Sequence, residues 1–464
     1  MQYDLVILGA GPGGYVAAIR AAQLGARVSI IEKELVGGTC LNWGCIPTKA
    51  MYKSARLFEQ IRQADHFGLS CTGAVAHLDK IISRNQKIVR ELRQGVERLF
   101  RRHRVNLLFG EGRLRRHNEI EVTSSEHPPQ QVCGRRIIIA TGSEPKVLQI
   151  LPWDNQRVFN TRSILELRQL PRSLFIIGGG VSGCEFAQIF RALGCEVHLS
   201  KRSREPIKSL DGDLNRALVR SLKKRRIILH LGDPPVAGRY TESGVEVTLQ
   251  SGKAVCTEAV LVTVGRMPVS TGLGFRKVGL TLKNGFLPVD EHCQTNIPGI
   301  YAIGDVVGEH LLAHYASHQG IVAVEHALGN GKAVVDKHAV PAAIYTDPEI
   351  ATVGLTSRQC QELGISYRQG NFPFRALGKA HALGEIDGFV KVIAAEEDGR
   401  ILGVHIIGPE AGSLIGECTL ALKQGATVED VARTIHAHPT LNEAVWEAAE
   451  DVRGLAIHKL DLKL

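Results

Sequence analysis

The sequence predicts an α/β fold: two Rossmann-like strand–turn–helix–strand units, the second inserted into the first, followed by a C-terminal α+β region. Three observations predict it. Gly9-Ala-Gly11-Pro-Gly-Gly14 follows an apolar strand at 4–8 and opens a helical run to Leu24, with a second strand at 27–31. The same order returns as a strand at 174–177, Gly178-Gly-Gly180-Val181-Ser-Gly183, a helix to Leu193 and a strand at 196–200. From about Val340 the pattern changes to strands at 389–394 and 401–407 with helices at 412–424 and 428–434.

Glycines in the first turn of such a unit let a pyrophosphate approach the positive start of the helix that follows. The pattern alone is weak; its place between strand and helix gives it weight. Glu32 closes the second strand, 18 positions past Gly14, where a carboxylate accepts bonds from ribose hydroxyls. At the matching place in the second unit stand Lys201, Arg202, Ser203 and Arg204. These charges attract a 2′-phosphate that a carboxylate would repel, whereas Gly183 keeps the third glycine common in NAD-type turns. NADP and NAD both stay open. The strand at 136–140 entering Thr141-Gly142, and Gly299-Ile-Tyr-Ala-Ile-Gly304-Asp305, belong with the first unit. The expected division is therefore 1–146, 147–265, 266–339 and 340–464, with the first and third stretches forming one nucleotide domain and the last an interface domain.

The composition excludes several classes. At 464 residues, 44% hydrophobic and 22% charged, the chain can bury large cores. It contains no apolar run long enough to span a membrane, and an acid at position 4 stands where a secretory leader carries positive charge, so a cytoplasmic chain is expected. The net charge of +9 is modest, and the basic stretches 98–104, 113–116 and 223–226 read as solvated faces rather than a nucleic-acid surface. Ten cysteines do not make a disulfide scaffold here. Cys71, Cys133, Cys184, Cys195, Cys256, Cys293, Cys360 and Cys418 are expected to be structural, mostly buried thiols.

Cys40 and Cys45 differ. They lie in Gly37-Gly38-Thr39-Cys40-Leu-Asn-Trp-Gly-Cys45-Ile-Pro-Thr-Lys49, which leads into a helical run. Five helical residues rise about 7.5 Å, too far for a disulfide, so a bridge needs a distorted turn that Gly44 and Pro47 permit. A helix start should also lower a thiol pKa and favour the thiolate. Near the C-terminus, His436-Ala-His438-Pro-Thr-Leu-Asn-Glu443 fits a capped helix start, a metal fragment or a base held by its carboxylate; its histidine spacing is not that of a helical zinc pair, so no metal is expected.

Together, segment 37–49, both glycine turns, 295–305, Ile344-Tyr-Thr-Asp-Pro-Glu-Ile350 and 436–443 stand in the order of the flavin-dependent pyridine nucleotide–disulfide oxidoreductases, and the chain resembles above all their dihydrolipoamide dehydrogenase branch. The resemblance implies FAD on Gly9, Gly11, Gly14, Glu32, Lys33, Gly38, Thr39, Lys49, Gly112, Thr141, Gly142, Ser143, Asp305, Leu312, Ala313 and His314. It implies NAD(P) on Gly178, Gly180, Val181, Gly183, Glu185, Lys201, Arg202, Lys208, Gly265 and Arg266. Cys45 would face the flavin, Cys40 would meet substrate, and Lys49 would pair with Glu185 near the flavin. His438, oriented by Glu443, would be the acid–base, supplied across the interface of a homodimer. The implied reaction moves electrons between dihydrolipoamide, free or on a lipoyl-bearing carrier, and NAD(P) through a Cys40–Cys45 disulfide. The basic segment with Lys208 looks more like glutathione reductase, which makes an NADPH-dependent reductase of another small disulfide the alternative, while Leu441 fits the lipoamide type. A flavin-bearing assembly subunit without catalysis is the reading from another class.

Overall fold

A computed structural model describes residues 2–329 and 331–460. The chain packs as two compact units, 1–170 with 264–335 and 171–263 with 336–464. Residues 147–170, expected with the second nucleotide unit, pack with the first.

In the first unit the strands Asn106–Phe109, Val28–Glu32, Gln2–Leu8 and Gln130–Ile139 lie side by side in parallel, and Ile300–Ala302 adds in parallel to Gln130–Ile139. Leu5, Val6, Ile7, Ile30 and Ile31 are fully buried. Continuous apolar strands of this kind are what a parallel sheet covered on both faces requires. Helix Pro12–Gln23 crosses helix Ala313–Ala327 through glycine: a Cβ on Gly320 would meet the Gly13 carbonyl oxygen at 2.7 Å. An antiparallel meander, Glu111–Arg116 and Glu119–Thr123, extends the sheet beyond Gln130–Ile139, with no turn or periodicity signal in the sequence to mark it.

The second unit repeats the design. Strands Ile228–Leu231, Glu196–Lys201, Ser173–Ile177 and Ala259–Val262 run parallel in that order, and helix Val181–Ala192 follows the glycine turn. Its C-terminal part is a five-stranded antiparallel sheet, Ala342–Ile344, Glu349–Gly354, Ile401–Gly408, Phe389–Ala395 and Tyr367–Pro373, covered by helices Ala411–Lys423 and Glu443–Val452. Phe372, Phe374, Val390, Ile406 and Ala444 form its core. This is the α+β region that the change of pattern predicts.

A buried ion cluster joins the two parts of this unit. Lys391 Nζ reaches Asp211 at 2.9 Å and Asp213 at 2.6 Å, and Lys391 and Asp211 are each 2% exposed. Burial pushes the Asp211 carboxyl up, but the Lys391 bond and the Ser357 amide outweigh it and hold the group well below the usual aspartate range. Removing one partner leaves a buried charge alone, so Lys391→Met is expected to cost about 3–5 kcal/mol, read from the midpoint of chemical unfolding. Because the folded carboxyl titrates low, the stabilisation is present above the ordinary value of 3.8 and is lost as pH falls below it toward the depressed folded value.

Candidate redox site and nucleotide cradles

The segment between the two key cysteines is a helix interrupted once. Helix Gly38–Trp43 ends at Gly44, and helix Cys45–Arg62 begins on the next residue. A Cβ at Gly44 would meet the Thr39 carbonyl oxygen at 3.0 Å and Cys40 Cα at 3.3 Å, so a side chain there would push the two helices apart by a few tenths of an ångström. The break brings Cys40 and Cys45 together as free thiols hydrogen-bonded to each other. The sequence rule for a helix start, a lowered thiol pKa, fails for Cys40. It is the third residue of a short helix, and the Cys45 bond, then burial, raise its pKa far above the ordinary thiol value. Lys49 pulls the other way, which places its charge near the pair. Tyr15, which no sequence signal marked, is raised by burial and then by Cys40, and so belongs to the same neighbourhood.

The first glycine turn leaves no room for a side chain at Gly9 or Gly14, whereas Gly11 stays open, with only Gly38 Cα at 4.0 Å. A Cβ at Gly9 would meet the Ala140 carbonyl oxygen at 2.4 Å, one at Gly14 the Gly9 oxygen at 1.9 Å, and one at Gly38 the Gly11 Cα at 2.7 Å. Helix Pro12–Gln23 starts without a side-chain cap or an acid in its first turn, so its leading N–H groups stay available to an anion. Glu32 is buried at the end of its strand and accepts the Ala10 and Glu34 amides, each at 2.8 Å. Burial raises its pKa against those two bonds. Asn42 is buried, donates to Val36 and Gly38, and leaves its Oδ1 without a partner among the described residues. A cradle of bare backbone, a free helix start and an orphaned buried acceptor fit a dinucleotide.

Other expected positions divide. Thr141 Oγ1 donates to the Val269 carbonyl at 2.6 Å, and Ser143 Oγ donates to Asp305. Gly112 serves packing, since its Cβ would meet Leu8 Cδ1 at 2.4 Å. Lys33 pairs with Glu144 at 3.0 Å on the surface. Leu312 is the residue before helix Ala313–Ala327, which places Ala313 and His314 in its first turn. Arg266, expected toward NAD(P), lies in the first unit, where strand Arg266–Pro268 pairs with Ser143–Pro145. It donates to Ser143 Oγ and to the Ser143 carbonyl, both at 2.6 Å, and reaches Thr39 Oγ1 at 3.4 Å. Burial lowers its pKa, while Asp305 and then Cys45 raise it. Gly265 beside it accepts the Lys146 amide at 3.0 Å.

In the second unit the turn is equally tight. A Cβ on Gly178 would meet the Thr263 oxygen at 2.4 Å, and one on Gly183 the Gly178 oxygen at 1.8 Å, whereas Gly180 faces open space and Val181 is exposed. Helix Val181–Ala192 again starts without a cap or an acid. Lys201 lies along the turn, its Cβ 3.2 Å from where a Gly179 side chain would begin. Its pKa is lowered by burial and by Lys208 and Arg202. Glu185 is buried and accepts the Tyr345 amide at 2.9 Å.

The C-terminal histidines separate clearly. His436 is largely buried and paired with Glu417 at 2.8 Å. His438 is 77% exposed, and its Nδ1 meets Glu443 at 2.8 Å, so the carboxylate engages one ring nitrogen and not Nε2. Burial raises the Glu443 carboxyl, but the His438 bond and the Thr440 amide bring it below its usual range. Among the described residues there is no cluster of three or more candidate metal ligands, and no helix is long and apolar enough to cross a membrane. Two of the cysteines expected as structural, Cys71 and Cys256, are exposed; Cys184, Cys195, Cys293, Cys360 and Cys418 are buried.

A thiol pair at a helix break beside one dinucleotide cradle, with a second cradle and an exposed His–Glu pair elsewhere in the chain, defines a class: proteins that move electrons between nucleotides and sulfur. The chain belongs to the pyridine nucleotide-disulphide oxidoreductase family, whose model matches residues 3–320, and the dimerisation-domain model of the same family matches 340–449. It is 39% identical to the dihydrolipoyl dehydrogenase of Bacillus subtilis, covering 98% of this chain and 99% of that one. It is 40% identical to the mitochondrial dihydrolipoyl dehydrogenase of Dictyostelium discoideum, covering 98% and 96%. The crystal structure of LpdA from Mycobacterium tuberculosis matches with a TM-score of 0.92 at 29% identity, over 97% and 99% of the two chains.

Proposed function

We propose that the chain is a flavin-dependent dihydrolipoyl dehydrogenase, acting on dihydrolipoamide or a lipoyl-bearing carrier with a pyridine nucleotide as the second substrate. The observation that carries this is the bonded Cys40–Cys45 pair beside Lys49 and the first glycine cradle, and full-length relatives of that name support it. FAD would rest on Gly9, Gly11, Gly14, Glu32, Thr141 and Asp305, and when bound supplies a two-electron acceptor between the dithiol and the nucleotide. Gly178, Gly180 and Gly183 would receive the pyridine nucleotide, with Lys201, Arg202 and Lys208 selecting NADP over NAD.

The chain's own chemistry is thiol exchange. His438, held by Glu443, takes a proton from the substrate dithiol. The resulting thiolate attacks Cys40 Sγ of the oxidised pair, the Cys40–Cys45 bond breaks, and Cys45 leaves as a thiolate. The second substrate thiol then displaces Cys40 from the mixed disulfide and releases a cyclic disulfide; the proton held on His438 passes to the Cys40 sulfur and His438 takes up the proton of the second thiol, so that Cys40 ends as a thiol, Cys45 as a thiolate and His438 protonated. The exposed side chain of His438 suits work on another molecule, and in a homodimer built on 340–464 the partner subunit's His438 serves each dithiol.

The test is steady-state kinetics with NADH and NADPH, each against lipoamide and glutathione disulfide. Lipoamide is expected to be preferred by at least about 100-fold in kcat/KM, since a site shaped for one disulfide rejects another through unmet contacts. The basic strand end gives a second reading, an NADPH-dependent reductase of a different small disulfide, and a preference for glutathione disulfide would establish it instead.

A further inference from the structure

Between the two cysteines stands Trp43, the last residue of helix Gly38–Trp43, and it is clamped from outside that helix. The guanidinium of Arg162 lies 3.8 Å from the centre of the Trp43 ring. The same guanidinium is gripped on both arms by Glu34, at 2.9 Å and 3.2 Å. Its backbone is fixed as well: the buried Asn160 accepts the Arg162 amide at 2.8 Å and the Ser163 amide at 3.0 Å. Glu34 in turn gives its amide to Glu32, which also holds the Ala10 amide of the glycine turn. A continuous chain of contacts thus runs from the first cradle through Glu32, Glu34 and Arg162 to the aromatic residue between the thiols.

A half-exposed Arg–Glu pair alone contributes about 0–1 kcal/mol to stability. Its value here is geometric. A fork held on two oxygens fixes the guanidinium plane, and a cation stacked on tryptophan fixes the ring in turn. The helix that carries Cys40 has six residues and is bounded by Gly37 and Gly44, too short and too permissive at both ends to hold its own shape. We propose that Arg162, oriented by Glu34 and stacked on Trp43, is a positioning residue for the redox pair: it holds the Cys40 helix against the start of the Cys45 helix and so raises the effective concentration of one sulfur at the other. The proposal rests on the reading of Cys40 and Cys45 as the working couple. Loosening the clamp lowers that effective concentration and makes the disulfide easier to reduce.

The experiment compares the wild-type holoenzyme with Arg162→Gln, Arg162→Lys, Trp43→Leu and Cys40→Ser. Three readings are taken: disulfide turnover, electron transfer from NAD(P)H to ferricyanide, which bypasses the thiols, and the dithiol–disulfide ratio in glutathione redox buffers. Arg162→Gln and Trp43→Leu are expected to lower kcat for the disulfide about tenfold, to leave ferricyanide reduction within twofold, and to shift the thiol equilibrium about tenfold toward the dithiol, equivalent to about 30 mV. Arg162→Lys keeps the charge but not the fork or the plane, and should recover less than half of the effect. An unchanged thiol equilibrium in Arg162→Gln overturns the proposal, as does a parallel fall in both activities. Should one variant fail to fold, the other still decides the matter through the thiol equilibrium. Disulfide turnover retained in Cys40→Ser would instead sink the reading of the couple itself.

Discussion

Cys40→Ser is expected to abolish disulfide turnover, by roughly 10³-fold or more, while bleaching of the flavin absorbance by NAD(P)H persists. A hydroxyl in place of the Cys40 thiol can neither form nor resolve a mixed disulfide at neutral pH, and no other sulfur is placed to substitute. Cys184, Cys195, Cys293, Cys360 and Cys418 are buried, Cys133 is half-buried within strand Gln130–Ile139, and exposed Cys256 lies against the Thr241 and Ser243 hydroxyls rather than a thiol. The substitution is nearly isosteric, so folding should survive, and it removes the group whose bond with Cys45 is the largest influence on Cys40. The reciprocal change, Cys45→Ser, should also end turnover, but it leaves an interchange thiol that still accepts a mixed disulfide. Thiol–disulfide exchange with a labelled disulfide separates the two: Cys40→Ser should carry no label at position 40, and Cys45→Ser should trap one equivalent there as a mixed disulfide, with release of the other half as a thiol. Turnover in Cys40→Ser within tenfold of wild type would remove Cys40 from the reaction.

What could be read from the sequence is what lies close along it. Both glycine turns, the thiol pair and the His438–Glu443 pair each fit within a short stretch, so their geometry follows from local rules of turns and helix starts. The strands and helices around the turns lie within one or two residues of expectation for the same reason. The sequence does not reveal contacts that span long stretches of chain. Arg266 and Ser143 are separated by 123 positions, Arg162 and Glu34 by 128, and Lys391 and Asp211 by 180. Nothing in their local surroundings distinguishes these residues from surface charges. The protonation of Cys40 escapes the sequence on the same principle: a helix-start rule is local, whereas a buried bond to a second thiol depends on how Gly44 folds the chain back. The meander at 111–123 and the exposure of Cys71 and Cys256 likewise depend on what packs against them.

Replacing the basic strand end should change the nucleotide. Lys201→Glu combined with Arg202→Leu is expected to lower kcat/KM for NADPH about 100-fold or more and to leave that for NADH unchanged or raised. The argument starts from which cations have partners. Several other surface cations of the second unit find carboxylates: Arg239 with Glu246 at 2.7 Å, Lys224 with Asp387 at 2.6 Å and Arg358 with Glu205 at 3.1 Å. Lys201, Arg202, Arg204 and Lys208 have no ion-pair partner among the described residues, and the nearby Glu205 is taken by Arg358. Unpaired like charges gathered at a strand end repel one another, and a 2′-phosphate would relieve that repulsion where a bare ribose could not. Each charge-assisted bond lost costs about 1.5–3 kcal/mol, so two account for at least the expected 100-fold. The introduced glutamate stands where Glu32 stands in the first unit and would accept ribose hydroxyls, which is why NADH should not suffer. In the wild type, KM for NADPH should rise with salt while KM for NADH does not, because the added phosphate charges are screened. Equal salt dependence for the two nucleotides, or a variant that loses both equally, would show that these cations are surface and not a phosphate site.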